Sequence, residues 1–436
     1  MKDTIKALIS LKQKDIPKDF IERDLKLPTD SGKIIAVVGG RRCGKSTLMD
    51  LAINSLLALG VEKEAIVWLG FDDERLNGMK TGDFDLILSA YREMFPEREI
   101  RDTYFFFDEI QRIEGWELFI MRLYKSYTKH IFLSGSNSEM LSSEIATELR
   151  GWPLEYKEYP LSFREYCRFM GVRTDSFLEA DTARLVFAFK TFNSEGGYPE
   201  VTLHNDRSIK TKILQGYFNT MIFQDLMERY KLTNPERIKY VLKRLMAGIS
   251  KPASINAIYN DIKSQGLKVS KDDLYEIADK ACSIFLLFKV QKFDRSPVKE
   301  NNSLPKYYCI DGGLRQNLLK PTSEDNGKLL ENAVFLQLNR NLEDDGKICY
   351  HMNDGRGERK TECDFVVQER DEVVSLVQVC WELNESTRER EIEGILNASK
   401  ETGCTDLTIV TSDQEETISE GSNTIKVVPA WKWFLR

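Results

Sequence analysis

The chain of 436 residues is 42% apolar and 30% charged, too apolar for a disordered polymer and long enough for two or three domains. Acidic residues outnumber basic ones by 69 to 62, a formal charge of -7, which excludes a uniformly basic nucleic-acid coat and leaves room only for a local basic surface. Eight cysteines stand singly with no CxxC pair, and only three histidines occur, so neither a zinc site nor a disulfide framework is expected.

The first fifteen residues, MKDTIKALISLKQKD, set lysines and aspartates among the apolar positions, unlike the continuous apolar core of a signal peptide. No apolar run approaches the roughly 20 residues that cross a bilayer, and SIFLLFKV near residue 285 is strand-sized. A cytoplasmic protein with no membrane partner is the expectation. Residues 1–160 carry the short runs IIAVV, AIVWL, TYFFF and HIFLS, each followed by helix-like sequence, the rhythm of a parallel α/β sheet. Residues 161–230 space apolar positions three and four apart around the turn Gly196-Gly197-Tyr198-Pro199, which predicts a helical lid packed on that sheet.

Residues 231–320 form the next expected domain. Three short helical patterns and the strand-like SIFLLFKVQKF follow one another in residues 231–306, the order of a winged helix-turn-helix. That segment holds 15 Lys and Arg against 8 Asp and Glu, a surplus of +7. Lys263, Lys268 and Lys271 make it a candidate DNA contact, opposed by Asp272, Asp273, Glu276 and Asp279 in the expected recognition helix. Residues 321–436 reverse the sign, with 13 basic against 24 acidic residues, and their strand patterns ICYHM, CDFVVQ, VVSLVQVCW and DLTIVT predict a further α/β domain. The polar stretch 319–327 is the best linker.

The strongest local signal is IIAVVGGRRCGKSTLMD. Gly39, Gly44, Lys45 and Ser46 fit G-x-x-x-x-G-K-[ST] between an apolar strand and an amphipathic helix. Such a loop, here Gly39, Gly40, Arg41, Arg42, Cys43, Gly44, Lys45, Ser46 and Thr47, curls backbone N–H groups around phosphate. Its lysine reaches the β- and γ-oxygens of ATP and its Ser46 hydroxyl serves Mg2+. Of Arg41 and Arg42, one is a candidate phosphate contact and the other structural. Asp108 and Glu109 end the aromatic run Tyr104–Phe107, 63 positions after Lys45. Asp108 is the candidate metal ligand and Glu109 the candidate general base.

The ordered set GGRRCGKST, FFFDEIQRIEGWE, FLSGSNSEML and YPLSFREY, with GGYPEV at 196 and YYCIDGGL at 307, resembles the AAA+ ATPases of archaea and bacteria. In those proteins the ATPase module precedes a winged helix and a C-terminal domain related to PD-(D/E)xK nucleases. The resemblance spans about residues 18–436 and implies an additional-strand sheet, with the strand ending at Ser134 between the phosphate-loop strand and the Asp108 strand. It also implies Ser136 or Asn137 as the polar sensor near the γ-phosphate, and Arg150 of ELRGW as the arginine placed near a γ-phosphate, often that of a neighbouring subunit in a homo-oligomer. Trp152 follows where a second arginine is usual.

In the last domain the same resemblance puts Glu331, Asp364, Gln378 and Cys380 at the positions of a nuclease core. That chemistry needs two carboxylates for a divalent metal and a lysine for the attacking water. Gln378 and Cys380 stand in place of the second acid and the lysine; a neutral amide binds Mg2+ weakly and a thiol suits softer metals. A degenerate site is therefore expected, with Glu362 as a further carboxylate and Arg388 or Lys400 as candidate cations in place of the lysine. The combined reading is an ATP-binding and Mg-dependent ATP-hydrolysing protein, acting as a nucleic-acid-associated motor or switch. The alternative is a nucleotide-dependent signalling or assembly switch that meets protein partners through the acidic domain. An ATP-gated nuclease ranks third.

Overall fold

A computed structural model describes residues 1–436 apart from 139–148, 150, 176–177, 267, 320–324 and 354–359. Its contacts divide the chain into two units, Met1–Tyr159 and Pro160–Arg436. In the first, β1 (Ile34–Gly39), β2 (Ile66–Gly70), β3 (Tyr104–Asp108), β4 (Ile131–Gly135) and β5 (Pro153–Glu158) form a parallel sheet in the order β2-β3-β4-β1-β5. The order is the additional-strand arrangement that the resemblance implied, because β4 pairs with β1 on one side and β3 on the other. This is an α/β P-loop fold of the AAA+ kind.

The near-continuous apolar runs of these strands follow from burial on both faces. Every residue of β1 is buried. Alternation along β3 splits its aromatics. Phe106 stacks on Phe132 at 4.4 Å on the side that also buries Ile35, Val37, Met49 and Ile53. Phe107 faces the other way, 5.9 Å from Phe71 and 6.0 Å from Phe119. Helices α1 (Lys2–Asp15), α2 (Lys45–Ala58), α3 (Asp85–Met94) and α4 (Trp116–Ser126) complete the layers. The lysines of the first fifteen residues have a structural use: Lys12 is 9% exposed, paired with the carboxylate of Asp50, and lies 4.2 Å from the Trp68 ring.

The second unit is built on an eight-stranded sheet of β6 (Leu287–Lys292), β7 (Lys306–Cys309), β8 (Lys347–Met352), β9 (Glu362–Glu369), β10 (Glu372–Val379), β11 (Leu407–Thr411), β12 (Glu416–Glu420) and β13 (Asn423–Pro429). Their order is β12-β13-β11-β10-β9-β8-β6-β7. Segments that the sequence assigned to different domains share this sheet. The β6–β7 hairpin follows three helices, α8 (Pro235–Ala247), α9 (Ile255–Ser264) and α10 (Lys271–Ser283), and joins the C-terminal strands where Gln291 and Lys292 pair with Cys349 and Tyr350. Serine hydroxyls start two of these helices, Ser254 accepting from Ala257 N and Ser270 from Asp273 N, which satisfies otherwise orphan donors.

Helices α5 (Phe163–Phe169), α6 (Glu179–Glu195) and α7 (Arg207–Thr220) precede them. The lid expected on the first sheet buries its aromatic face in the core of the second unit, where Phe163 and Phe189 share a cluster with Tyr308, Val334, Phe365 and Phe434. A run of aromatics spaced for one helical face finds there a surface of matching size. The loops GGYPEV and YYCIDGGL close on each other. Asp311 caps α11 (Gly312–Leu318), accepting from Leu314 N at 2.7 Å, and its other oxygen accepts from Gly197 N at 2.7 Å. A Cβ on Gly313 would stand 1.8 Å from the carbonyl oxygen of Glu195, so only glycine admits this approach. Two segments of the resemblance thus carry packing. Helices α12 (Asp325–Asn341) and α13 (Arg388–Thr402) flank the sheet.

Candidate functional site

At the C-terminal edge of the first sheet, where parallel α/β sheets open a crevice, the phosphate loop runs from β1 into α2. Gly39 is needed because a Cβ there would lie 2.1 Å from the carbonyl oxygen of Glu158 on β5. Gly44 begins α2 with φ of 107°, a backbone that L side chains rarely adopt. Lys45 is 6% exposed, and its ammonium donates to the carbonyls of Gly39 at 3.1 Å and Gly40 at 3.0 Å. Cys43 is buried, Arg41 and Thr47 are half-buried, and Arg42 and Ser46 are exposed.

The strands then bring the acids to the loop. Ser46 Oγ donates to Asp108 Oδ2 at 2.6 Å, and Ser134 Oγ donates to the other oxygen, Oδ1. Burial pushes the Asp108 carboxyl above its usual range, against the two serine hydrogen bonds that favour its charged form. Glu109 takes a left-handed backbone, φ 53°, at the end of β3, and its N–H donates to Ser134 Oγ at 3.2 Å. Its side chain accepts from Gln111 Nε2 at 2.5 Å and Ser136 Oγ at 3.2 Å, both at Oε2. Asn137 lies two residues past the end of β4 and is 7% exposed. Arg150 lies outside the described residues.

Sequence reasoning missed Ser134, which touches both acids, and Arg23. The Arg23 guanidinium donates to Cys43 O at 2.8 Å and Tyr159 O at 2.9 Å and pairs with Glu158 at 2.5 Å. Both members of the pair are 3% exposed, so the N-terminal segment, the phosphate loop and β5 are tied by a desolvated charge. No local motif marks Arg23; β4's serine was legible only as part of SGSNS.

Two family models match the chain, an AAA domain over residues 31–167 and a domain of unknown function (DUF8612) over residues 187–325. An uncharacterized protein of Methanocaldococcus jannaschii is 31% identical over 95% of this chain and 91% of its own length. An uncharacterized protein of Haemophilus influenzae is 30% identical over 83% of this chain and 86% of its own length. The chain belongs to this archaeal and bacterial family of AAA-domain proteins. Among solved structures, the Walker-type ATPase of Pyrococcus abyssi is similar at a TM-score of 0.42 and 15% identity, over 65% of this chain and 90% of that one. By its own match over residues 31–167, this family member carries an AAA domain, a nucleotide-binding ATPase domain.

The family member's second unit holds another cluster of charge. Glu331 on α12 and Asp364 on β9 are 8% and 6% exposed and meet at the ammonium of Lys306 on β7, at 3.1 and 3.3 Å. Glu362 pairs with the same nitrogen. Tyr308 Oη donates to Glu331 Oε1 at 2.7 Å. Gln378 accepts from Asp364 N at 3.0 Å and donates to Glu391 at 2.5 Å. Burial, with the Asp364 charge beside it, raises the Glu331 carboxyl to about 8. Cys380 belongs to a separate apolar cluster and donates to Glu382 O at 3.0 Å.

Neither cation expected to migrate into this cluster is there: Arg388 is held by Glu416 at 2.7 and 2.9 Å, and Lys400 is exposed. The lysine comes from the strand KYYC, 25 residues before Glu331, and its signal in the sequence is a lone charge in a strand whose four residues are all buried. Lys263 and Lys271 of the helical segment are exposed and flank the Tyr259 ring at 5.8 and 5.4 Å. Asp273 there is tied to Arg237 at 2.7 Å, which offsets one of the four acids of the expected recognition helix. Among the described residues no helix is long and apolar enough to cross a membrane.

Proposed function

We propose that this protein binds ATP with Mg2+ and hydrolyses it, and that residues 231–306, read as a winged helix, link the nucleotide state to nucleic acid. The observation that carries the first part is the contact of Ser46 Oγ with Asp108 Oδ2 at 2.6 Å. It unites the end of the phosphate loop with the acid of β3, and a hydroxyl with a carboxylate is the hard oxygen set that magnesium takes. The bound ion would neutralise charge on the phosphates. Lys45, held by two loop carbonyls, exchanges these for β- and γ-oxygens. Ser134 orients Asp108 through Oδ1, leaving the carboxylate a fixed direction.

Glu109 is the base that takes a proton from the attacking water, with Ser136 and Gln111 setting its side chain and Asn137 as the polar sensor. Arg23 is a positioning residue for the loop. Arg150 would complete the charge at the γ-phosphate, from a neighbouring copy if the protein assembles. The nucleic-acid part rests on the +7 charge of residues 231–306 and on the exposed Lys263 and Lys271 beside Tyr259, a basic and aromatic surface of the kind that meets phosphate and base. The second reading, a switch acting on protein partners, is favoured by the 24 acidic against 13 basic residues of 321–436, which repel a polyanion.

ATP turnover measured with and without DNA over a salt series separates the two. Stimulation by DNA, with affinity that falls steeply as salt rises, supports the first; binding that is absent or indifferent to salt leaves the second.

A further inference from the structure

The nuclease resemblance of the second unit implies a divalent metal held by Glu331, Asp364 and their neighbours. The residues present do not fit one. The point where a metal would bridge the carboxylates is taken by Lys306 Nζ, which lies 3.1 Å from Glu331 and 3.3 Å from Asp364 and pairs with Glu362. Lys306 is 0% exposed, so the ammonium has no face open to water or to a phosphate oxygen. Magnesium needs near-octahedral oxygen ligands at about 2.0–2.1 Å and keeps several waters.

The donors around it are committed as well. Asp364 Oδ2 accepts from Val379 N at 2.9 Å. Gln378, where a second acid would stand, has its carbonyl on Asp364 N and its amide nitrogen on Glu391, and an amide nitrogen is no metal ligand. Glu331 Oε1 receives both Lys306 and the Tyr308 hydroxyl, the latter at 2.7 Å.

We infer that the Lys306 ammonium is a built-in cation that takes the place of a divalent metal in the second unit. An ammonium supplies three hydrogen-bond donors and one positive charge to a nest of carboxylates, which is what the fold requires of a cation there. It offers no vacant orbital to an oxygen, so it neither acidifies a water nor polarises a phosphodiester. Retraction of the lysine is opposed on two sides. Its backbone is fixed in β7 by pairing with Val290 and by a bridge to Pro252. Its charge, once withdrawn, would leave the buried Glu331 and Asp364 and the half-buried Glu362 without their ammonium partner. The second unit is therefore a metal-independent scaffold, whatever the ATPase unit does.

The test uses the full chain without nucleotide and Mn2+ as the probe, with bound metal counted by electron paramagnetic resonance. Wild type and Asp364→Asn should bind the same amount of Mn2+ and nick plasmid DNA equally little. Mn2+ binding or nicking present in wild type and lost in Asp364→Asn would overturn the inference. Lys306→Met should bind one additional Mn2+ and gain thermal stability as the metal is raised above its Kd. A folded Lys306→Met that binds no more Mn2+ than wild type would also overturn it. If that variant does not fold, the comparison of wild type with Asp364→Asn decides alone.

Discussion

Each unit places a lysine at the start of an element among oxygen atoms, Lys45 of α2 and Lys306 of β7, and the two are held in opposite ways. Lys45 opens α2 at the end of the phosphate loop, bonded to two neutral carbonyls, next to the exposed Ser46. Lys306 lies on the edge strand β7, bonded to three carboxylates and closed to solvent. A cation whose partners are neutral dipoles gives them up when a polyanion arrives; one enclosed by opposite charges holds the fold together instead. Residue type and proximity to acids are alike in the two places, and the partners' charge separates a lysine proposed to bind phosphate from a structural one.

The comparison can be broken from either side. The largest effect is expected at Glu109→Gln, which should keep ATP binding and lose about 10²–10⁴-fold in turnover, read by nucleotide binding and phosphate release. Unchanged turnover would move the base elsewhere. Next, Lys306→Met in the absence of metal should cost about 3–5 kcal/mol, because it leaves buried carboxylates uncompensated, whereas Lys45→Ala should abolish turnover with little change in denaturant midpoint. A stable Lys306→Met or an unfolded Lys45→Ala would erase the distinction.

A smaller effect is expected at Asp311, where a buried carboxylate joins two glycine loops through backbone N–H groups. Asp311→Ala leaves the N–H groups of Gly197 and Leu314 without their acceptor, about 1–3 kcal/mol. Burial raises this carboxyl from 3.8 to about 6. A carboxyl raised on folding stabilises the fold while protonated, so its contribution is complete below pH 3.8 and is lost as pH rises through about 6. The stability difference between wild type and Asp311→Asn should fall across that window and level off above it. The smallest effect is expected for the half-exposed pair of Arg388 with Glu416, where Arg388→Ala should change stability by about 0–1 kcal/mol despite two good hydrogen bonds.

The candidate phosphate site was the most legible part of the chain because its parts are local. A glycine loop between a strand and a helix can be recognised within nine residues, and four aromatics followed by two acids announce a buried strand that ends at a crevice. Ser134 and Arg23 were not legible. Each acts on residues far away in the chain, Ser134 on Asp108 26 positions away and Arg23 on Cys43 20 positions away, and no periodicity encodes such a distance. The helices of 161–230 were legible as helices, and the surface that covers them was not, since an aromatic face specifies only that something apolar must meet it.

The last domain shows where this limit lies. Through the resemblance to nucleases, chain pattern puts Gln378 and Cys380 where a second acid and a lysine would stand, which implies the loss of most of a metal's chemistry. It suggested Arg388 and Lys400 as substitutes, because both sit on a nearby helix in sequence. Only the tertiary structure brought Lys306 in, through a hairpin assigned to another domain that joins the C-terminal sheet by pairing Gln291 and Lys292 with Cys349 and Tyr350. Local chemistry is written in short spacings, and a buried charge finds its partners through strand pairings that the spacing does not record.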